Sequence, residues 1–87
     1  MYRVILTKRA AKGLEKAPEH VRRKSIEALD ALQQSFAPVR LFDVKRLRGM
    51  EGAFRIRVGD WRIIYELHRK DAMIVVLEIG PRGSVYQ

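Results

Sequence analysis

Three arginines, Arg55, Arg57 and Arg62, are the residues whose types and spacing could do chemistry. Arg55 and Arg57 alternate with Phe54, Ile56 and Val58, and Arg62 follows just beyond Gly59-Asp60. If the segment is a hairpin, period-two alternation places all three guanidinium groups over one face of neighbouring strands. Like charges so arranged repel, and the acids close by in this register, Asp60 and Glu66, are too few to offset them. A bound phosphate would, because the planar guanidinium fork makes paired hydrogen bonds to phosphate oxygens and keeps its charge at every cellular pH. Lys45, Arg46 and Arg48 precede the hairpin and Arg82 follows the last apolar run, so further basic groups could converge on the same groove. Tyr86 could stack on an exposed base, as aromatic side chains do with single-stranded RNA. The plainer readings are a solvated basic face whose arginine stems cover apolar surface, and a tail aromatic packed on the sheet.

Other chemistries find little support. His20 and His68 stand without a nucleophile or paired acid at useful spacing, and Ser25, Ser35 and Ser84 lack a nucleophile elbow. Phosphate loops, dinucleotide fingerprints and metal-ligand spacings are absent from the sequence. An enzyme built from this chain is therefore expected to use no cofactor and no metal, and to work by positioning a substrate and stabilising negative charge. The 87 residues carry 18 Lys+Arg against 10 Asp+Glu, a formal net charge of +8, which favours a polyanionic partner by long-range attraction. The absence of cysteine removes disulfides and thiolate chemistry and suits a reducing compartment. No apolar run nears the roughly 20 residues of a membrane helix, and the apolar start ends at Lys8, too soon for a signal sequence. A cytoplasmic protein with no membrane partner is expected, with residues 1–87 forming one domain.

The elements that must position these groups can be read from periodicity. Tyr2 to Thr7 predicts a first strand, with Thr7 as helix N-cap. Ala10, Ala11, Leu14 and Ala17 at helical spacing predict a short helix ending at Ala17-Pro18. Val21, Ser25, Ala28, Leu29 and Leu32 form the stripe of a second helix, antiparallel to the first, reaching about Gln34. Arg40 to Gly52 reads as a connecting loop or a short, poorly patterned strand. Two strands follow, the first from Ala53 and the second over Trp61 to Leu67, then a turn at His68-Arg69-Lys70-Asp71. Met73 to Ile79, apolar on both faces except for Glu78, predicts a strand at the centre of the sheet, and Gly80-Pro81 ends it. The expected fold is α+β in the order β-α-α-β-β-β, a twisted antiparallel meander with the helical hairpin packed on one face.

Taken together the chain resembles the RelE-type toxins of prokaryotic toxin–antitoxin pairs, within the RelE/ParE superfamily. The resemblance spans nearly the whole chain. Its specific parts are Lys45-Arg46-Leu47-Arg48-Gly49, Phe54-Arg55-Ile56-Arg57-Val58-Gly59-Asp60-Trp61-Arg62-Ile63-Ile64-Tyr65 and Ile79-Gly80-Pro81-Arg82-Gly83-Ser84-Val85-Tyr86. It implies an endoribonuclease that cleaves mRNA in the ribosomal A site by attack of a 2′-hydroxyl on the adjacent phosphate, inhibiting translation. It implies catalytic roles for Arg55, Arg57, Arg62, Arg82 and Tyr86, RNA contacts for Lys45, Arg46 and Arg48, and a RelB-like antitoxin encoded nearby. Several members carry lysines where this chain has Arg55 and Arg57, and an arginine cannot serve as a general base, so the base is left unassigned among Tyr86, Lys45 and the ribosome. Two alternatives stay open: a ParE-like inhibitor of DNA gyrase without nuclease activity, and a non-catalytic basic RNA-binding module.

Overall fold

A computed structural model describes residues 1–81. The elements run β1 (Arg3–Leu6), α1 (Lys8–Lys16), α2 (Glu19–Gln34), β2 (Asp43–Arg46), β3 (Ala53–Val58), β4 (Trp61–His68), a single 3-10 turn (Arg69–Asp71) and β5 (Met73–Pro81). They form a five-stranded sheet in the order β1-β5-β4-β3-β2 with two helices, the α+β architecture expected from periodicity. Strands β2 to β5 make the antiparallel meander. Strand β1 adds a parallel edge, Arg3 opposite Met73 through Leu6 opposite Val76, so the complete sheet is mixed. The connection between these parallel strands runs through both helices and the other three strands, the helical hairpin carrying the chain from the β1 edge to the β2 edge.

Local chemistry explains each boundary. Thr7 caps α1, its hydroxyl accepting the Ala10 N–H at 3.0 Å and donating to the Leu77 carbonyl at 2.8 Å, so one side chain starts the helix and fastens it to β5. The second helix has no side-chain N-cap at Pro18. Instead the Arg22 guanidinium donates to the Ala17 and Glu15 carbonyls, satisfying the end of α1 and folding the hairpin. Between β3 and β4, Val58 pairs with Trp61 across two residues, and positive φ is confined to Gly59 at 59°, as a type II′ hairpin turn requires. Residues 43–46, with little hydrophobic pattern, do form a strand, because β3 offers them a ladder. Strand β5 lies between β1 and β4 rather than at the middle of the five, and runs on to Pro81, which stands opposite Trp61.

Apolar side chains from the sheet and both helices meet in one cluster. Leu32, Ile56, Ile63, Tyr65, Ile74 and Val76 are fully buried there, each aliphatic among them contributing about 1.5–3 kcal/mol by leaving water. Phe54 stacks on Tyr65 with ring centroids 5.5 Å apart, and the Tyr65 hydroxyl donates to the Phe36 carbonyl at 2.7 Å, tying the segment after α2 to the sheet. Burial pushes the Tyr65 phenol up from its ordinary range, so the donor stays protonated. No helix among the described residues is long and apolar enough to cross a membrane.

The tightest approach is between α1 and β5 at Gly13. A Cβ at this position would stand 1.8 Å from the Ile79 carbonyl oxygen, a backbone atom that cannot step aside. Helix propensity alone favours Gly13→Ala by about 1 kcal/mol. We expect the opposite sign, a loss of about 3 kcal/mol in urea unfolding, because the added methyl forces α1 off the sheet.

Candidate phosphate-binding face and family membership

The sheet registers settle which side chains share a face. Arg57 stands directly opposite Arg62, and Arg55 opposite Ile64. On the outer strands, Asp43 faces Arg57, Lys45 faces Arg55, Gly80 faces Arg62 and Glu78 faces Ile64. Two adjacent cross-strand rows result: Asp43-Arg57-Arg62-Gly80 and Lys45-Arg55-Ile64-Glu78. Because the alternate residues Phe54, Ile56, Ile63 and Tyr65 enter the helix-covered core, both rows lie on the opposite face. A register shift between Ile64 and Tyr65, where Leu77 has no partner, leaves Glu78 on this face and Val76 in the core.

The three arginines are not equivalent. Arg55 is 8% exposed and its guanidinium donates to the Asp43 carboxylate at 2.9 Å, while its Nε is buried without a partner. Arg57 is exposed, and among the described residues it reaches the Gly59 carbonyl alone, at 3.3 Å. The half-buried Arg62 guanidinium forms no ion pair among the described residues. Two cations thus stand side by side, and the carboxylate in their own row, Asp43, is taken up by a third arginine, an arrangement an incoming phosphate would neutralise.

Lys45 and Arg46 belong to β2 rather than to a loop, and point to opposite faces. Lys45 joins the arginine face. Arg46 instead lies on the face opposite the arginines and lines a cavity of about 650 Å³ with Phe54, Leu67 and Arg69. Arg48 is exposed in the turn between β2 and β3. Arg82 and Tyr86, expected to complete the site, lie outside the described residues. His20 is exposed in the first turn of α2, and His68 ends β4 with its Nε2 3.1 Å from Glu66 Oε1. Among the described residues no three His, Asp or Glu side chains come together to hold a metal ion.

Two acids on this face escape simple inspection of the sequence. Asp43 lies in the segment with the weakest pattern, and its role emerges only when that segment pairs with β3. Glu78 interrupts an otherwise apolar strand; its side chain is 9% exposed and pairs through Oε1 with Arg9 of α1 at 3.3 Å.

Comparison with known proteins places this architecture. The family model for ParE toxins of type II toxin–antitoxin systems, parDE, matches residues 4–86. A Methanocaldococcus jannaschii protein carrying the toxin name RelE1 is 30% identical over 86 residues, 99% of this chain and 96% of its own. The archaeal RelE–RelB complex of Pyrococcus horikoshii OT3 contains a chain with a TM-score of 0.82 and 36% identity, over 97% of this chain and 98% of that one. The RelB–RelE complex of Methanococcus jannaschii contains another, with a TM-score of 0.80 and 27% identity over 94% of each chain. The chain belongs to the RelE/ParE family of toxins from type II toxin–antitoxin systems. Within that family it is a RelE-type toxin.

The Asp43–Arg55 pair makes a specific forecast. Asp43→Asn leaves a buried guanidinium without its counter-charge and should cost roughly 1–3 kcal/mol in chemical unfolding. The double variant Asp43→Asn with Arg55→Met should recover most of that loss, a coupling a double-mutant cycle measures directly.

Proposed function

We propose that this toxin is a ribosome-dependent endoribonuclease that cleaves mRNA in the A site and so inhibits translation, the whole chain acting as one domain. The observation that carries the reading is the Arg57–Arg62 pair, two residues directly opposite on adjacent strands whose guanidinium groups form no ion pair among the described residues. Such a pair suits an anion whose charge grows during reaction. In the proposed step the 2′-hydroxyl attacks the adjacent phosphorus, its proton passes to a base, and the P–O5′ bond breaks as the departing O5′ takes a proton from solvent. The products are a 2′,3′-cyclic phosphate and a 5′-hydroxyl. Arg57 and Arg62 would hold the non-bridging oxygens and stabilise the pentavalent transition state. Arg55, buried against Asp43, would support them from beneath. Lys45, Arg46 and Arg48 would contact RNA along the flank, although Arg46 turns to the other face of the sheet. By family resemblance, Arg82 would stabilise the leaving oxygen and Tyr86 would stack on a base.

The relatives crystallised with RelB suggest the partner, an antitoxin whose acidic segments complement a chain of net charge +8. The reducing compartment implied by a cysteine-free sequence, the cytoplasm, also holds the ribosome. One observation favours a second reading: the matching family model is described by its ParE members, so inhibition of DNA gyrase is the alternative.

The test is mapping of 5′ ends on a defined mRNA paused on ribosomes, beside the same RNA free in solution and a gyrase supercoiling assay. Cuts confined to the A-site codon are expected, with little cleavage of free RNA. Arg62→Ala should lower the cleavage rate by about a hundredfold or more, while the slope of log affinity for single-stranded RNA against log salt falls by about 0.7. Uncut mRNA together with blocked supercoiling would transfer the function to gyrase.

A further inference from the structure

We propose that Glu78 is the proton acceptor for the attacking 2′-hydroxyl, an inference that rests on the endoribonuclease reading. The arginines cannot take a proton, and Asp43 is committed to the buried Arg55, whereas the Arg9 partner of Glu78 is an exposed side chain. Glu78 is the other carboxylate the two rows contain. It stands one row from Arg62, because Arg62 faces Gly80 and Glu78 lies two residues before Gly80 on the same side of β5. Such diagonal neighbours in an antiparallel pair lie roughly 7–8 Å apart at their Cα atoms, within reach of a ribose whose phosphate rests on Arg62. The position opposite Arg62 is a glycine, so no side chain intervenes there, and the residue opposite Glu78 is the apolar Ile64.

Burial argues in the same direction. A carboxylate 9% exposed inside an apolar strand costs stability unless something compensates, and among the described residues the compensation is a pair to Arg9, a side chain 73% exposed. If the role were only to fasten α1 to β5, Thr7 and the Gly13 contact already do so. Proton transfer would run from the ribose 2′-oxygen to the Glu78 carboxylate as the O2′–P bond forms and the P–O5′ bond breaks, the departing O5′ taking a proton from solvent and Glu78 returning its own to solvent after product leaves.

The experiment compares the wild type with Glu78→Gln, Glu78→Asp and Arg9→Ala in single-turnover cleavage of ribosome-bound mRNA, with RNA affinity and thermal melting measured for each. Glu78→Gln removes a negative charge from a basic face, so charge alone predicts equal or tighter RNA binding and faster cleavage. We expect equal or tighter binding with cleavage slowed about a hundredfold, partial rescue by Glu78→Asp, and Arg9→Ala retaining cleavage to within about fivefold. Cleavage by Glu78→Gln at the wild-type rate overturns the proposal. So does a parallel loss of melting temperature and cleavage in both Glu78→Gln and Arg9→Ala, which marks the carboxylate as a tether. A wild-type protein that fails to cut, beside an active control toxin, overturns the endoribonuclease reading itself and this proposal with it.

Discussion

The pleat of the β3–β4 hairpin is the constraint on which the rest of the molecule depends. Alternate residues of a strand must point to opposite sides, so each apolar group sent into the core commits its neighbour to the other face. Burying Phe54, Ile56, Ile63 and Tyr65 beneath the helices therefore gathers Arg55, Arg57 and Arg62 on the far side. Stability and charge concentration are the same event: a register slip by one residue would expose the core and scatter the arginines together. The two-residue turn at Gly59-Asp60 fixes that register, since its geometry permits Val58 to meet Trp61 and nothing else.

The electrostatic cost of this gathering is distributed unevenly. Asp43 meets the one arginine that is buried, where an unpaired cation would be most expensive, and leaves the outer two to solvent or ligand. The free protein thus carries a neutralised foundation beneath an unneutralised pair. Water screens Arg57 and half-screens Arg62 until a polyanion displaces it, so part of the repulsion built into the fold becomes affinity when phosphate arrives.

Much of this was legible in the sequence because period two and period 3.6 are strong signals. The helices, the cap at Thr7, the hairpin turn and the shared face of the three arginines all follow from spacing. What escaped was whatever depends on a partner strand. Residues 43–46 are a strand because β3 stabilises them, not because their own alternation does, and so the counter-charge at Asp43 was hidden. The parallel edge was equally hidden, since nothing in Arg3–Leu6 reveals that its ladder lies some 70 residues away at Met73–Val76. The register shift at Leu77 decides the face that Glu78 occupies, and shifts of this kind leave no periodic trace.

That parallel edge has a consequence for the order of events during synthesis. The first strand to be made is paired only with the last, Arg3 with Met73 and Leu6 with Val76, and α1 rests against the same late strand through Thr7 and Gly13. Strand β1 and α1 therefore lack their sheet partner until β5 has been made, a strongly non-local pairing. Vectorial folding cannot close the molecule early. A nascent copy stays open at the β1 edge until β5 has been added.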